Sequence, residues 1–177
     1  MEPVELSAAG VTLRIPDLRD VADIVLACND PEMVRFTTVP YPYVEQHARD
    51  FIQHAGDGWE RGDLPVFAIT ETGVGRFAGA IDLRVSTSIG AEIGYSVAPW
   101  ARGRGVGTTA VRLACRWGFD VLELPRIEWQ ADVGNVASRR LAEKVGFVVE
   151  GTCRKRLLHR GERVDGWIGS LLPGELR

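Results

Sequence analysis

Between Val66 and Val97 the apolar residues recur at the period of a strand, and this stretch limits the fold more than any other. Val66 to Glu71, Arg76 to Val85 and Ala91 to Val97 read as three strands, with a turn at Thr72-Gly73 and Pro99 closing the third. Connections this short join neighbouring antiparallel strands, because a parallel crossover needs about a dozen residues or more. An antiparallel meander is therefore expected in mid-chain.

The flanks are mostly helical. Val11-Thr12-Leu13-Arg14-Ile15 alternates as a short strand that Pro16 ends. Asp17 is a good N-cap for Leu18, Val21, Val25 and Cys28, which follow at helical spacing. Asn29-Asp30-Pro31 opens a short helix through Phe36, and the prolines between Thr37 and Tyr43 exclude regular helix there. From Val44 on, Ala48, Phe51, Ile52, Ala55 and Trp59 form one apolar stripe.

After the meander a long helix is expected from about Gly105, with Val106, Ala110, Leu113, Ala114, Trp117 and Val121 on one face. A strand, Ile127 to Ala131, comes next. Asn135 then opens a helix with Ala137, Leu141 and Val145 inward and Gly146 just past its end. Phe147 to Val149 and Val164 to Leu171 read as a final antiparallel pair joined by a basic hairpin. The expected fold is α/β (α+β): a mixed, mostly antiparallel sheet of about seven strands with helices on both faces. A doubly wound fold would alternate strand and helix throughout, and this chain does not. No repeat, low-complexity tract or linker interrupts it, so residues 1–177 are expected to form a single domain.

Composition narrows the partners. With 45% hydrophobic and 25% charged residues and a formal net charge of −3, no global field draws the chain to nucleic acid or to an anionic membrane. Met1-Glu2-Pro3-Val4-Glu5 carries acid where a signal peptide carries base, and no run reaches the ~20 apolar residues of a spanning helix. Cys28, Cys115 and Cys153 are odd in number and widely spaced, which suits a reducing compartment rather than a disulfide framework or a zinc site. A cytoplasmic, metal-free protein is expected, and a homodimer is compatible with this reading.

Pro99-Trp100-Ala101-Arg102-Gly103-Arg104-Gly105-Val106-Gly107-Thr108 leads straight into the long helix. Glycine lets backbone approach a ligand closely, and a helix N-terminus adds unpaired N–H groups and a positive dipole end. The combination reads as a cradle for pyrophosphate, with Arg102 and Arg104 adding charge. It is neither a dinucleotide fingerprint, which would place Gly where Thr108 stands, nor a P-loop, which needs Gly-Lys-[Ser/Thr].

Arg102-x-x-Gly105-x-Gly107 resembles the [Gln/Arg]-x-x-Gly-x-[Gly/Ala] acetyl-CoA motif of the GNAT superfamily. Asn135-Val136-Ala137-Ser138 and Glu143-Lys144-Val145-Gly146-Phe147 resemble motifs of its ribosomal-protein N-terminal (RimJ/RimL-like) acetyltransferase branch. Leu13-Arg14, the Thr-rich turn before Pro40, and Val164-Asp165 with Ser170-Leu171 are similar to that branch as well. The resemblance spans nearly the whole chain.

It implies a sheet that splays between the strand ending near Val97 and the strand beginning near Ile127. Pantetheine would lie in that gap as an added strand does, with pyrophosphate on the amides of Arg102, Gly103, Arg104, Gly105, Val106, Gly107 and Thr108. Backbone near Val97 would polarise the thioester carbonyl, and Asn135 would cap its helix, bond to pantetheine, or do both. Glu92, one strand ahead of the cradle, is the candidate base or amine-binding group, the alternative being an exposed strand carboxylate. Ser138 stands where the branch meets the cofactor sulfur, the alternative being an ordinary hydroxyl in a helix's first turn. The Tyr acid that many family members place after the Asn helix begins is missing here.

Three activities fit these expectations. The first is acetyl-CoA-dependent acetylation of a protein or peptide α-amine by direct transfer. The second is the same chemistry on a small amine such as an amino acid, polyamine or aminoglycoside, and the third is a non-catalytic acyl-CoA sensor. Arg154 to Arg163 is read as a solvated basic face or a contact for an acidic group, and Thr37 to Tyr43 as a wall of the acceptor pocket or a structural crossing.

Overall fold

The mid-chain meander is present in the computed structural model, which describes residues 1–177. Its strands are β3 (Val66–Glu71), β4 (Phe77–Ser86) and β5 (Gly90–Val97). Ahead of them run β1 (Leu6–Ala8), β2 (Val11–Arg14), α1 (Val21–Cys28), α2 (Pro31–Phe36) and α3 (Glu45–Arg61). Behind them come α4 (Val106–Asp120), β6 (Ile127–Asp132), α5 (Val136–Val145), β7 (Val148–His159) and β8 (Glu162–Leu171). The strands form one sheet in the order β1-β2-β3-β4-β5-β6-β8-β7. Every neighbouring pair is antiparallel except β5 and β6.

Local chemistry sets the helix ends. Asp30 accepts the Met33 amide at 3.1 Å and Pro31 takes the first position of α2, where its missing N–H costs nothing. Asn135 Oδ1 accepts the Ser138 amide at 3.2 Å and caps α5. Asp17 accepts the Arg19 amide at 2.9 Å, but it caps a short 3-10 turn (Leu18–Asp20) that leads into α1.

The alternation of the central strands serves two cores. Phe67 and Ile69 belong to the larger cluster under α4, whereas Ala68 belongs to the smaller one with Ile24 of α1 and Ala48 of α3. Trp59, near the end of α3, donates its indole N–H to the Val66 carbonyl at 2.8 Å. It packs edge-on against Phe67 with ring centroids 5.1 Å apart, and Trp117 of α4 completes the trio. Such pairs contribute ~0.5–1.5 kcal/mol beyond area burial.

Eight strands are found where about seven were expected. The additional one, β1, pairs only Leu6, Ser7 and Ala8 with β2, too short a run to show a period. Val121 also differs: α4 ends at Asp120 and Val121 is 61% exposed, off the apolar face assigned to it. Most of the basic hairpin is regular strand, since β7 continues to His159 and β8 begins at Glu162.

The splay is explicit in the register. β4 and β5 pair without a break from Ser86–Gly90 to Gly79–Val97. β5 and β6 pair only at Ala91–Ile127, Glu92–Glu128 and Ile93–Trp129. Beyond Trp129, β6 keeps its bonds to β8, so Gly94 to Val97 present an unpaired edge toward α5.

Candidate active site

The cradle is assembled at the start of α4. Gly105 is its N-cap with φ 82°, a left-handed conformation costly for any other residue, and open space surrounds the position a Cβ would take. Gly107 has a different reason. A Cβ there would come within 2.8 Å of Val97 Cγ2 and 2.9 Å of Leu141 Cδ1, so glycine lets the first turn of α4 press against β5 and α5. Thr108 is buried, and Gly103 faces open space as Gly105 does.

The two arginines of this turn are engaged with carboxylates. Arg102 donates to the Val97 carbonyl at 3.1 Å and to Asp30 at 2.5 Å, tying the turn to the cap of α2. Arg104 donates to both oxygens of Glu71, at 3.0 and 2.5 Å. Backbone amides and the helix dipole are thus the main positive features of the cradle, with the guanidinium charges largely offset.

Two cavities adjoin at the splayed edge. One, of about 160 Å³, is lined by Val97, Arg102, Asn135, Ser138 and Leu141 on the cradle side. The other, of about 490 Å³, is lined by Glu92, Asp82, Gln130 and Asp132, with Thr37 to Val39 on one wall and Leu157 to His159 on another. They share Phe36, Thr37, Tyr95, Ser96, Asn135 and Ser138. The Thr37–Tyr43 segment thus divides its roles. Its first half walls the larger cavity, while Tyr43 is buried in the smaller core and donates its hydroxyl to the His47 carbonyl at 3.1 Å. Arg160 reaches from the basic hairpin to the carbonyls of Val34 and Val39, fastening that wall.

At the junction, Ser138 and Tyr95 form a closed hydrogen-bonded pair. The Ser138 hydroxyl donates to the Tyr95 oxygen at 3.1 Å, and Tyr95 donates to the Ser138 carbonyl at 2.9 Å. Trp129 donates its indole N–H to Ser138 Oγ at 3.0 Å. Burial pushes the Tyr95 phenol well above its ordinary pKa, so it stays protonated.

Glu92 lines the larger cavity. One of its oxygens accepts from Arg84 at 2.7 Å and the other from Gln130 at 2.7 Å. Gln130 in turn accepts from Arg156 of β7 at 3.0 Å. Asp82 sits beside this network, 3.0 Å from Arg84. The fold therefore brings Val97, Asn135 and Ser138 together at the gap and sets Glu92 apart in the adjoining cavity.

Tyr95, Asp82 and Gln130 escaped the sequence reading. Strand alternation puts Tyr95 on the opposite face of β5 from Glu92, and nothing local signals that Ser138, 43 residues on, would meet it.

Similarity to known proteins bears on the family and the fold. Residues 11–148 match the family model described as Acetyltransferase (GNAT) domain. The chain is 30% identical over 168 residues to an uncharacterized N-acetyltransferase of Bacillus licheniformis, p20, covering 93% of this chain and 94% of that one. The fold is similar to that of the microcin C7 self-immunity acetyltransferase MccE, described in complex with acetyl-CoA and AMP, at a TM-score of 0.85, 20% identity and 93% coverage of both chains. It is also similar to Mycobacterium smegmatis RimJ in complex with CoA-disulfide, at a TM-score of 0.84 and 23% identity, covering 99% of this chain and 88% of that one. On the family match and the near-full-length relative, this chain belongs to the GNAT family of N-acetyltransferases.

Proposed function

We propose that the protein moves an acetyl group from acetyl-CoA directly to a primary amine, with a peptide or protein N-terminal α-amine as the acceptor class. The observation that carries this reading is the meeting of two cavities at Tyr95, Ser96, Asn135 and Ser138, where β5 has shed its partner strand. One cavity leads back to the cradle and the other to carboxylates, which suits a donor and a cationic acceptor entering from different sides.

In this reading the amides of Arg102 to Thr108 hold pyrophosphate, and the free edge of Gly94 to Val97 receives pantetheine as a paired strand would. Backbone at Val97 and Asn135 of α5 fix the thioester end beside Ser138. Ser138 stabilises the departing thiolate, and Tyr95, kept protonated by burial, can donate to the Ser138 oxygen when that hydroxyl turns to sulfur. Glu92 supplies negative charge that draws an ammonium into the larger cavity. MccE is described with bound acetyl-CoA, and the name RimJ belongs to the branch that the motifs resemble, so both support donor and fold.

A thiol-release assay tests the proposal, with acetyl-CoA and a panel of short free-N-terminus peptides, spermidine, free amino acids and an aminoglycoside. Thiol release with N-acetylated peptide product is the expected result. Release with spermidine or the aminoglycoside alone would move the acceptor to small molecules. Tight acetyl-CoA binding with no release on any amine would make the protein a sensor.

A further inference from the structure

Strand β4 brings a second carboxylate to the acceptor cavity. Asp82 pairs in register with Gly94, whereas Arg84 pairs with Glu92. Two residues along a strand are roughly 7 Å, so Asp82 lies that much nearer to Val97 and the β5–β6 gap than Glu92 does.

The missing side chain of residue 94 is what makes room for it. A Cβ at Gly94 would stand 2.8 Å from Asp82 Oδ2, 3.1 Å from Oδ1 and 3.1 Å from an Arg84 nitrogen. The Asp82 carboxyl therefore lies across β5, facing the cavity.

Its hydrogen bonding differs from that of Glu92. Both Glu92 oxygens are occupied, by Arg84 and by Gln130. Asp82 Oδ1 is buried and accepts no hydrogen bond, although Arg84 Nη1 stands 3.0 Å away as its ion-pair partner. Oδ1 is thus sealed beside Arg84, while the rest of the carboxyl, in a side chain 25% exposed, lines the cavity proposed to take an amine. We propose that Asp82 is the catalytic base, taking the proton from the acceptor's ammonium while Glu92 and Arg84 shape the charge around it. The assignment rests on the acetyl-transfer reading.

The ammonium gives one proton to the Asp82 carboxylate, leaving a neutral amine and a neutral acid. The amine lone pair forms the C–N bond as the C–S pair leaves on sulfur. The nitrogen then sheds its second proton and the thiolate gains one, giving amide and thiol, and Asp82 returns its proton to solvent.

The electrostatics agree with the geometry. Burial, the largest cause, pushes the Asp82 carboxyl up to about 6; Glu92 on β5 adds to this, while Arg84 and His54 of α3 act against it. Asp132 and His159, 2.8 Å apart, are the other titratable groups lining the cavity. A base with a pKa near the working pH accepts a proton in that range without becoming inert.

The test has two arms. In the first, thiol release from acetyl-CoA with free-N-terminus peptides and spermidine is followed from about pH 5 to 9 for the wild type, Asp82→Asn and Asp82→Glu. Asp82→Asn should lose ~10²–10⁴-fold in kcat/KM and the acidic limb near pH 6, with acetyl-CoA affinity unchanged. Asp82→Glu should regain part of the rate with a displaced limb. In the second, carboxyl 13C NMR of the aspartate-labelled wild type, with the Asp82 resonance assigned by its loss in Asp82→Asn, should titrate near 6 with no acceptor present. A wild-type rate and limb in folded Asp82→Asn, or a midpoint at the ordinary aspartate value, overturns the assignment. If no amine is acetylated at all, the transfer reading falls and the base assignment falls with it, whatever the NMR midpoint.

Discussion

Tyr95 of β5 and Ser138 of α5 hold each other by two hydrogen bonds, hydroxyl to hydroxyl at 3.1 Å and phenol to carbonyl at 2.9 Å. They bind strand to helix where β5 and β6 have parted, and both line the two cavities. Ser138→Ala should cost about 10-fold in kcat, the scale of one lost hydrogen bond of ~1.4 kcal/mol, and should leave the acidic limb of the pH profile in place. Tyr95→Phe should cost a similar factor. Because the two act as a unit, the double variant should lose less than the product of the single losses, which a double-mutant cycle on kcat measures.

Gly107 sets the spacing of the donor wall. Gly107→Ala places a methyl against the ends of Val97 and Leu141, so it should lower stability by ~1–3 kcal/mol in urea unfolding. Both contacted side chains line the smaller cavity, and KM for acetyl-CoA should rise with them.

Arg104 is paired with Glu71, so its charge is not free for a ligand. Arg104→Ala should weaken acetyl-CoA binding less than ~5-fold by calorimetry, within the range of a surface charge pair. A much larger loss would mean that Arg104 leaves Glu71 when phosphate arrives.

Asp82 should exchange stability for activity. Its carboxyl titrates higher in the fold than the usual 3.8, so the folded state holds the proton more tightly than the unfolded chain. That contribution is fully present below about pH 4 and is lost as pH rises through about 6. Asp82→Asn removes it. The variant should therefore match the wild type near pH 4 and exceed it at about pH 8, by on the order of 2 kcal/mol. Thermal unfolding at the two pH values measures this, and a variant less stable at high pH would show that Asp82 is a structural group.

How far the sequence revealed the molecule depended on the distance between partners. The cap at Asn135 was readable because a cap bonds to an amide three residues on. The meander was readable from its alternation and short turns, and the splay from the family motifs at Gly105 and Asn135. β1 was not, since three residues carry no period. The engagement of Arg102 with Asp30, 72 residues away, and of Arg104 with Glu71, 33 away, followed from tertiary packing alone. So did Tyr95: alternation fixes which face a strand residue takes but not what it meets there. Glu92 and Asp82 show the same limit, because an acidic strand residue reads alike whether its oxygens are occupied or orphaned.

The most direct measurement is calorimetric titration of acetyl-CoA into the wild type, Gly105→Glu and Gly105→Ala. Both substitutions place a Cβ on a left-handed backbone, at similar strain, in space that is otherwise open. Only glutamate adds bulk and negative charge at the N-terminus of α4, where pyrophosphate is proposed to sit. The wild type should bind, Gly105→Ala should bind more weakly, and Gly105→Glu should not bind while keeping its helical circular dichroism. Wild-type affinity in folded Gly105→Glu would contradict the cradle and move the donor site elsewhere.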